Sequence, residues 1–339
     1  MKERLMSLDF LRSGAIILVM FAHIILGYGA PPILAPLQLG GMGVDLFFVL
    51  SGWLLGSQLF EETSRFGSIN IKRFWYRRWI RTFPAYYAVL GVISFQQVLT
   101  KDAWTFPVDY IFFIQNYNQP FEIFHVSWSL AVEEQFYLMI APALSFLWCV
   151  PARTRLIILL SALIVPSFFR YFNFYENEYQ THVRIDGCIA GVLLAYVKSQ
   201  HAFIWKKLAD KSVPIFIGSS LVFFLYFLQR YIPIPWISDP GMLERAIMFS
   251  GWVLFAVTYK NSLFWRVYGV RYMATRSYSL YLLHPEAIAI VNRLNFEINF
   301  FFYFIAVFSL SLMFAEILYR VIEMPFLKLR SKLASTKIN

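Results

Sequence analysis

The chain has 339 residues, 59 % of them hydrophobic and only 15 % charged, with a mean hydropathy of +0.57. A soluble domain carries about 25 % charged and 45–50 % apolar residues, so a water-soluble globular enzyme, a disordered chain and a collagen-like chain are excluded. The 30 Lys and Arg against 20 Asp and Glu leave a net charge of +10, which in so apolar a chain bears on membrane sidedness rather than on nucleic acid, and no nucleic-acid partner is expected. Cys149 and Cys188 build neither a disulfide framework nor a zinc site by spacing.

A hydrocarbon core of about 30 Å takes roughly 20 apolar residues of helix. Ten runs approach that length: 10–29, 43–60, 84–100, 127–149, 155–171, 184–198, 213–231, 243–259, 275–294 and 300–321. The fold class expected is all-α, a polytopic membrane helix bundle forming one domain over 1–339. With the N-terminus inside, the inner segments carry 23 of the 30 Lys and Arg; the outer ones carry Lys101, Arg170, Arg184, Arg230, Arg245 and Arg293, and Arg12 lies within the first helix. This alternation follows the positive-inside rule and puts both termini in the cytoplasm. The first run follows Lys2 and Arg4 as a signal peptide would, yet ends Gly27-Tyr28-Gly29-Ala30-Pro31-Pro32 without a cleavage pattern, so it reads as a retained helix. No long hydrophilic segment suggests an appended soluble domain, and no transporter-type repeat is visible.

Ionisable groups inside a membrane are costly and therefore functional candidates. Arg12 and His23 are 11 residues apart, which on a helix is three turns plus about 20°, on one face and ~16 Å apart along the axis. That suits a cation holding a ligand's charged end and an imidazole meeting its reactive end. It also suits a snorkelling topogenic arginine and a histidine bonding between helices. In Arg73-Phe74-Trp75-Tyr76-Arg77-Arg78-Trp79-Ile80-Arg81-Thr82-Phe83-Pro84, Arg78 and Arg81 share a face if helical. Their forks suit phosphate or carboxylate, and a lipid-headgroup belt is the competing reading.

Further along, Ser129, Glu133 and Tyr137 form an i, i+4, i+8 polar stripe behind Trp128, with Glu134 beside Glu133. A glutamate here serves chemistry or neutralises a buried arginine, and Asp45 and Asp186 raise the same choice. Asp186 is two residues from Arg184, a spacing that does not favour their pairing with each other on a helix. His284, just before Pro285, reads as structural. His125, His182 and His201 form no cluster of metal-ligand spacing, so no metal is expected; a P-loop, a GxSxG elbow and an HExxH motif are absent.

Taken in order, these pieces resemble the acyltransferase-3 family of integral-membrane O-acyltransferases. The matching residues are Arg12-x10-His23, the run from Gly43 to Gly52, Arg78-x-x-Arg81 with Pro84, Trp128-Ser129-Leu130-x-x-Glu133-x-Gln135-Phe136-Tyr137, Arg184-x-Asp186 with Gly191, Ser277-Tyr278-x-x-Tyr281-Leu282-x-His284 and Glu323-x-Pro325. The resemblance is to the stand-alone type, without an esterase-like domain. It implies transfer of an acetyl or other short acyl group from cytoplasmic acyl-coenzyme A to a hydroxyl of a glycan or lipid-linked sugar, with no tightly bound cofactor. It implies His23 as the catalytic histidine and Arg12, Arg78 and Arg81 near the donor. Glu133 can orient the imidazole as the third member of a triad does. Asp45, Trp128, Ser129, Tyr137, Arg184, Asp186 and His284 remain for an acceptor or structural polar site. The expected setting is the bacterial inner membrane, among membrane lipids and partners in polysaccharide synthesis. A transporter or exporter of glycans or acyl compounds is the alternative, since buried charges and Pro-interrupted helices fit alternating access as well. A catalytically silent assembly partner is a third reading.

Overall fold

The computed structural model describes residues 5–100, 106–119, 121, 123–232, 241–260, 263–295 and 297–335. Among them there are helices and no strands. The helices are α1 (Met6–Gly27), α2 (Gly43–Phe66), α3 (Ile71–Thr100), α4 (Val108–Ile111), α5 (Trp128–Leu147), α6 (Ala152–Tyr171), α7 (Asp186–Gln200), α8 (Ala202–Asp210), α9 (Ser212–Gln229), α10 (Met242–Thr258), α11 (Val270–Arg293), α12 (Phe300–Leu318) and α13 (Met324–Ser335). Each of the ten expected runs coincides with one of them. Lys2, Arg4, Lys101 and Lys337 of the charge count lie outside the described residues.

Six helical segments among the described residues are long and apolar enough to cross a membrane, and the bent pair α7–α8 makes a seventh. The ten-span expectation therefore has ten helices beneath it but not ten spans of full length and apolarity. The shortfall has local causes. Helix α10 has only 17 residues, and α11 carries Arg271, Arg276, Glu286 and Arg293. Helix α3 begins well before residue 84, so the arginine-rich segment is its first part rather than a loop. Arginine is a good helix former, and its charge does not break the backbone pattern. The basic segment after α7 is likewise mostly helix, as α8 turns 113° from α7.

The contacts divide the chain into two compact units. The first comprises Met1–Ile69, Ala143–Glu178 and His182–Ser277; the second comprises Asn70–Pro142, Tyr179–Thr181 and Tyr278–Asn339. Two of the boundaries fall inside α5 and α11.

The first unit centres on α2 and α7, its most intimate helix pair. Gly52 and Gly56 on α2 are four apart, as are Gly187 and Gly191 on α7, so each helix presents a small-residue stripe. A Cβ on Gly52 would stand 1.9 Å from the Cys188 carbonyl oxygen, and one on Gly191 2.2 Å from that of Val49. The backbones thus touch where only glycine leaves room. Helices α10, α1 and α6 pack around this pair.

The second unit is organised by α3 and the C-terminal helices. A π-helical turn, Tyr319–Glu323, joins α12 to α13, and α13 runs against α3. Glu323 is buried and accepts the Ser279 hydroxyl, which accounts for a carboxylate in the terminal Glu323-x-Pro325 element. The segment before α5 is held by buried amides. Gln115 donates to the Ser127 carbonyl at 3.0 Å, and Asn116 donates to the Thr181 hydroxyl at 2.9 Å.

Candidate functional site

The residues singled out from the sequence divide between the units. Arg12, His23, Asp45, Arg184 and Asp186 belong to the first; Arg78, Arg81, Trp128, Ser129, Glu133, Tyr137 and His284 belong to the second.

In the first unit, Arg12 and His23 both lie on the unbroken helix α1, so the shared face read from their spacing holds. Both are half-buried. Arg12 approaches the buried Asp9 carboxylate one turn back, at 3.9 Å. The acidic residues deeper in the unit are paired. Asp45 receives Arg184 at 3.1 Å and Arg245 at 3.5 Å. Asp186, 1 % exposed, takes both terminal nitrogens of Arg170 at 2.8 Å each. Arg184, which precedes α7, and Asp186 thus pair elsewhere and not with each other, in line with the expectation that their spacing does not favour it. These pairs link α2, α6, α7 and α10, so their first role is to hold helices together. Removing one member of such a pair leaves a buried charge uncompensated.

In the second unit, Trp75, Trp79 and Phe83 stack at successive turns of α3, with centroids 6.0 and 5.6 Å apart. The Trp75 indole donates to the Leu138 carbonyl at 3.2 Å and ties α3 to α5. Arg77, Arg78 and Arg81 leave from other faces. Arg78 sets its guanidinium over the Tyr137 ring, 5.4 Å from the centroid. Arg78 and Arg81 are half-buried, and among the described residues neither forms an ion pair.

The polar stripe on α5 forms as its spacing predicts. Tyr137 donates its hydroxyl to Glu133 one turn back. Ser129 instead shares a 2.5 Å hydrogen bond with Tyr281 of α11, which also donates to the Val126 carbonyl at 3.0 Å. Trp128 packs on Tyr179, with centroids 4.8 Å apart. Glu134 is the more deeply buried of the two glutamates, at 7 % exposure, and its Oε2 has no hydrogen-bond partner among the described residues. It sits beside the Thr82 hydroxyl and within electrostatic reach of Arg78. His284 is fully buried, and its Nδ1 donates to the Leu280 carbonyl at 3.0 Å, a local backbone bond consistent with a structural role.

His23 belongs to the first unit and Glu133 to the second. Three residues of the second unit escape a reading by hydropathy. Gln135 donates to the Phe113 carbonyl at 2.7 Å and to Asn116 at 2.9 Å, and accepts Thr181 at 2.6 Å. Asn116 and Thr181 lie in non-periodic segments, where no spacing betrays them. Gln135 follows the glutamates directly and stands in the family-like element Trp128 to Tyr137, but its spacing does not announce these partners. No group of His, Cys, Asp and Glu among the described residues is arranged to hold a metal ion.

Helices apolar enough to span a bilayer, with arginines, glutamates and a histidine set among them, define a multi-pass membrane protein with polar chemistry inside it. The chain belongs to the acyltransferase-3 family: the family model, described as an acyltransferase domain, matches residues 6–320. A Staphylococcus aureus (strain COL) protein named "Putative O-acetyltransferase" is 30 % identical over 323 residues, covering 85 % of this chain and 53 % of the relative. O-acetyltransferase OatA of Staphylococcus aureus (strain NCTC 8325 / PS 47) is 29 % identical over 361 residues, covering 95 % of this chain and 57 % of the relative. The chain therefore spans about half the length of the curated relatives it matches. No solved structure matches it.

Proposed function

We propose that this chain moves an acetyl or other short acyl group from cytoplasmic acyl-coenzyme A to a hydroxyl of a glycan or lipid-linked sugar, at the bacterial inner membrane. The observation that carries the reading is the pair Arg78 and Arg81, one turn apart on α3, half-buried and in no ion pair among the described residues, with Glu134 within electrostatic reach of Arg78. In a chain of an acyltransferase family, such cations call for an anionic donor, and the diphosphate and 3′-phosphate of coenzyme A match guanidinium forks. The relatives' name, O-acetyltransferase, makes acetyl the first choice of acyl group.

The chemistry needs one base. The His23 imidazole accepts the acceptor hydroxyl's proton as its oxygen attacks the thioester carbonyl. The tetrahedral intermediate then expels the coenzyme A thiolate as the carbon–sulfur bond breaks, and the imidazolium returns the proton to that sulfur. Arg12, three turns below on the same face of α1, serves the donor's charged end. The acceptor becomes an ester, and free coenzyme A leaves.

A general base contributes roughly 10²–10⁴ in rate. His23→Gln keeps a hydrogen-bonding side chain but no effective base. Purified protein supplied with radiolabelled acetyl-coenzyme A and a glycan acceptor should lose at least a hundredfold in transfer on this substitution, with an unchanged melting point and near-normal coenzyme A binding. A folded His23→Gln protein that transfers at the wild-type rate would remove His23 from the reaction.

A further inference from the structure

Arg330 is remote from α3 in sequence, and by charge counting it is one more residue on the inner side. In the fold, α13 runs against α3, and Arg330 lies within electrostatic reach of Arg77, Arg78 and Arg81. Arg330, Arg78 and Arg81 are half-buried, while Arg77 is exposed. None of the four forms an ion pair among the described residues. Glu134 is the carboxylate within reach of Arg78, and Tyr137 lies under the same guanidinium.

Topogenic charge does not account for this arrangement. The positive-inside rule asks only that arginines stand on one side of the membrane, where water disperses their repulsion. Like charges one turn apart already disfavour a helix, yet α13, packed against α3, brings a further guanidinium within electrostatic reach of them. A cation cluster assembled from two elements and short of carboxylates is built for an anion that arrives with several charges.

We infer that Arg330 is a third arm of the phosphate-binding site that Arg78 and Arg81 form, so that α3 and α13 together grip the phosphates of the acyl donor. The inference rests on the donor reading above and adds to it a residue and a second helix. Phosphate could also come from an anionic lipid headgroup, and the experiment separates the two sources.

The protein is placed in nanodiscs of phosphatidylcholine, and its affinity for coenzyme A and for pantetheine, which lacks the phosphates, is measured. Arg330→Gln should weaken coenzyme A binding about tenfold, the scale of one lost charge-assisted contact, and leave pantetheine unchanged. Arg330→Lys should restore part of the loss, because it keeps the charge but not the fork. Lys328→Gln, an equal change of charge on the exposed side of α13, should change neither affinity. Melting points of all variants confirm folding. Unchanged coenzyme A affinity in folded Arg330→Gln would overturn the assignment. So would an effect seen only as lost stabilisation by phosphatidylglycerol, which would give the site to lipid. A wild-type protein that binds no coenzyme A would overturn the donor reading itself, a result distinct from equal binding by wild type and variant.

Discussion

The two units treat buried charge in opposite ways. In the first, Asp45 engages Arg184 and Arg245, and Asp186 is gripped by both terminal nitrogens of Arg170. In the second, Arg78, Arg81 and Arg330 lie within electrostatic reach of one another without forming an ion pair among the described residues. Burying a charge is tolerated when it is paired. The first arrangement closes on itself and fastens helices. The second leaves its guanidiniums in no ion pair among the described residues, which is the property the proposed donor site needs. Family motifs do not separate these cases, since Arg184-x-Asp186 and Arg78-x-x-Arg81 look alike on paper. The partners separate them.

The sharpest way to break the contrast is to cut a closed pair. Asp186→Ala leaves the partly buried Arg170 guanidinium without its carboxylate, and should cost about 3–5 kcal/mol of stability, read as a large drop in the melting temperature of detergent-solubilised protein. An unchanged melting point together with lost transfer would mean that this pair belongs to the chemistry after all.

A smaller effect is expected where the first unit depends on shape rather than charge. Gly52→Ala puts a methyl group 1.9 Å from the Cys188 carbonyl oxygen and should destabilise by about 1–3 kcal/mol. Gly14→Ala on α1 meets nothing within 4 Å and should be neutral or slightly stabilising, as alanine is the better helix former. Equal melting points for the two variants would show that α2 and α7 do not depend on backbone contact.

Much of this is legible in the sequence, for reasons that vary along the chain. The apolar runs mark ten helices because burying apolar side chains is the strongest signal a membrane chain carries. The stripe on α5 is readable because a 3.6-residue period places Glu133 and Tyr137 on one face, and they do bond. Gly52, Gly56, Gly187 and Gly191 spell out close approach in their spacing alone, though spacing does not say which helix is the partner. Three things are hidden. Helix α3 starts early because hydropathy is blind to a helix built from arginine and tryptophan. Asn116 and Thr181 act from segments with no period. Arg330 reads as one more inner charge, because only the fold brings α13 to α3. Between Glu133 and Glu134, periodicity favours the residue on the stripe, while burial and an unpartnered oxygen mark its neighbour.

The central claim is that the Arg78 and Arg81 guanidiniums serve the donor, and coenzyme A binding by the double variant Arg78→Gln, Arg81→Gln tests it most directly. Each lost charge-assisted contact is worth about 1.5–3 kcal/mol, so affinity should fall at least tenfold, while the melting temperature holds or rises as mutual repulsion is relieved. A folded double variant that binds coenzyme A as tightly as the wild type would contradict the account and return these arginines to the membrane surface.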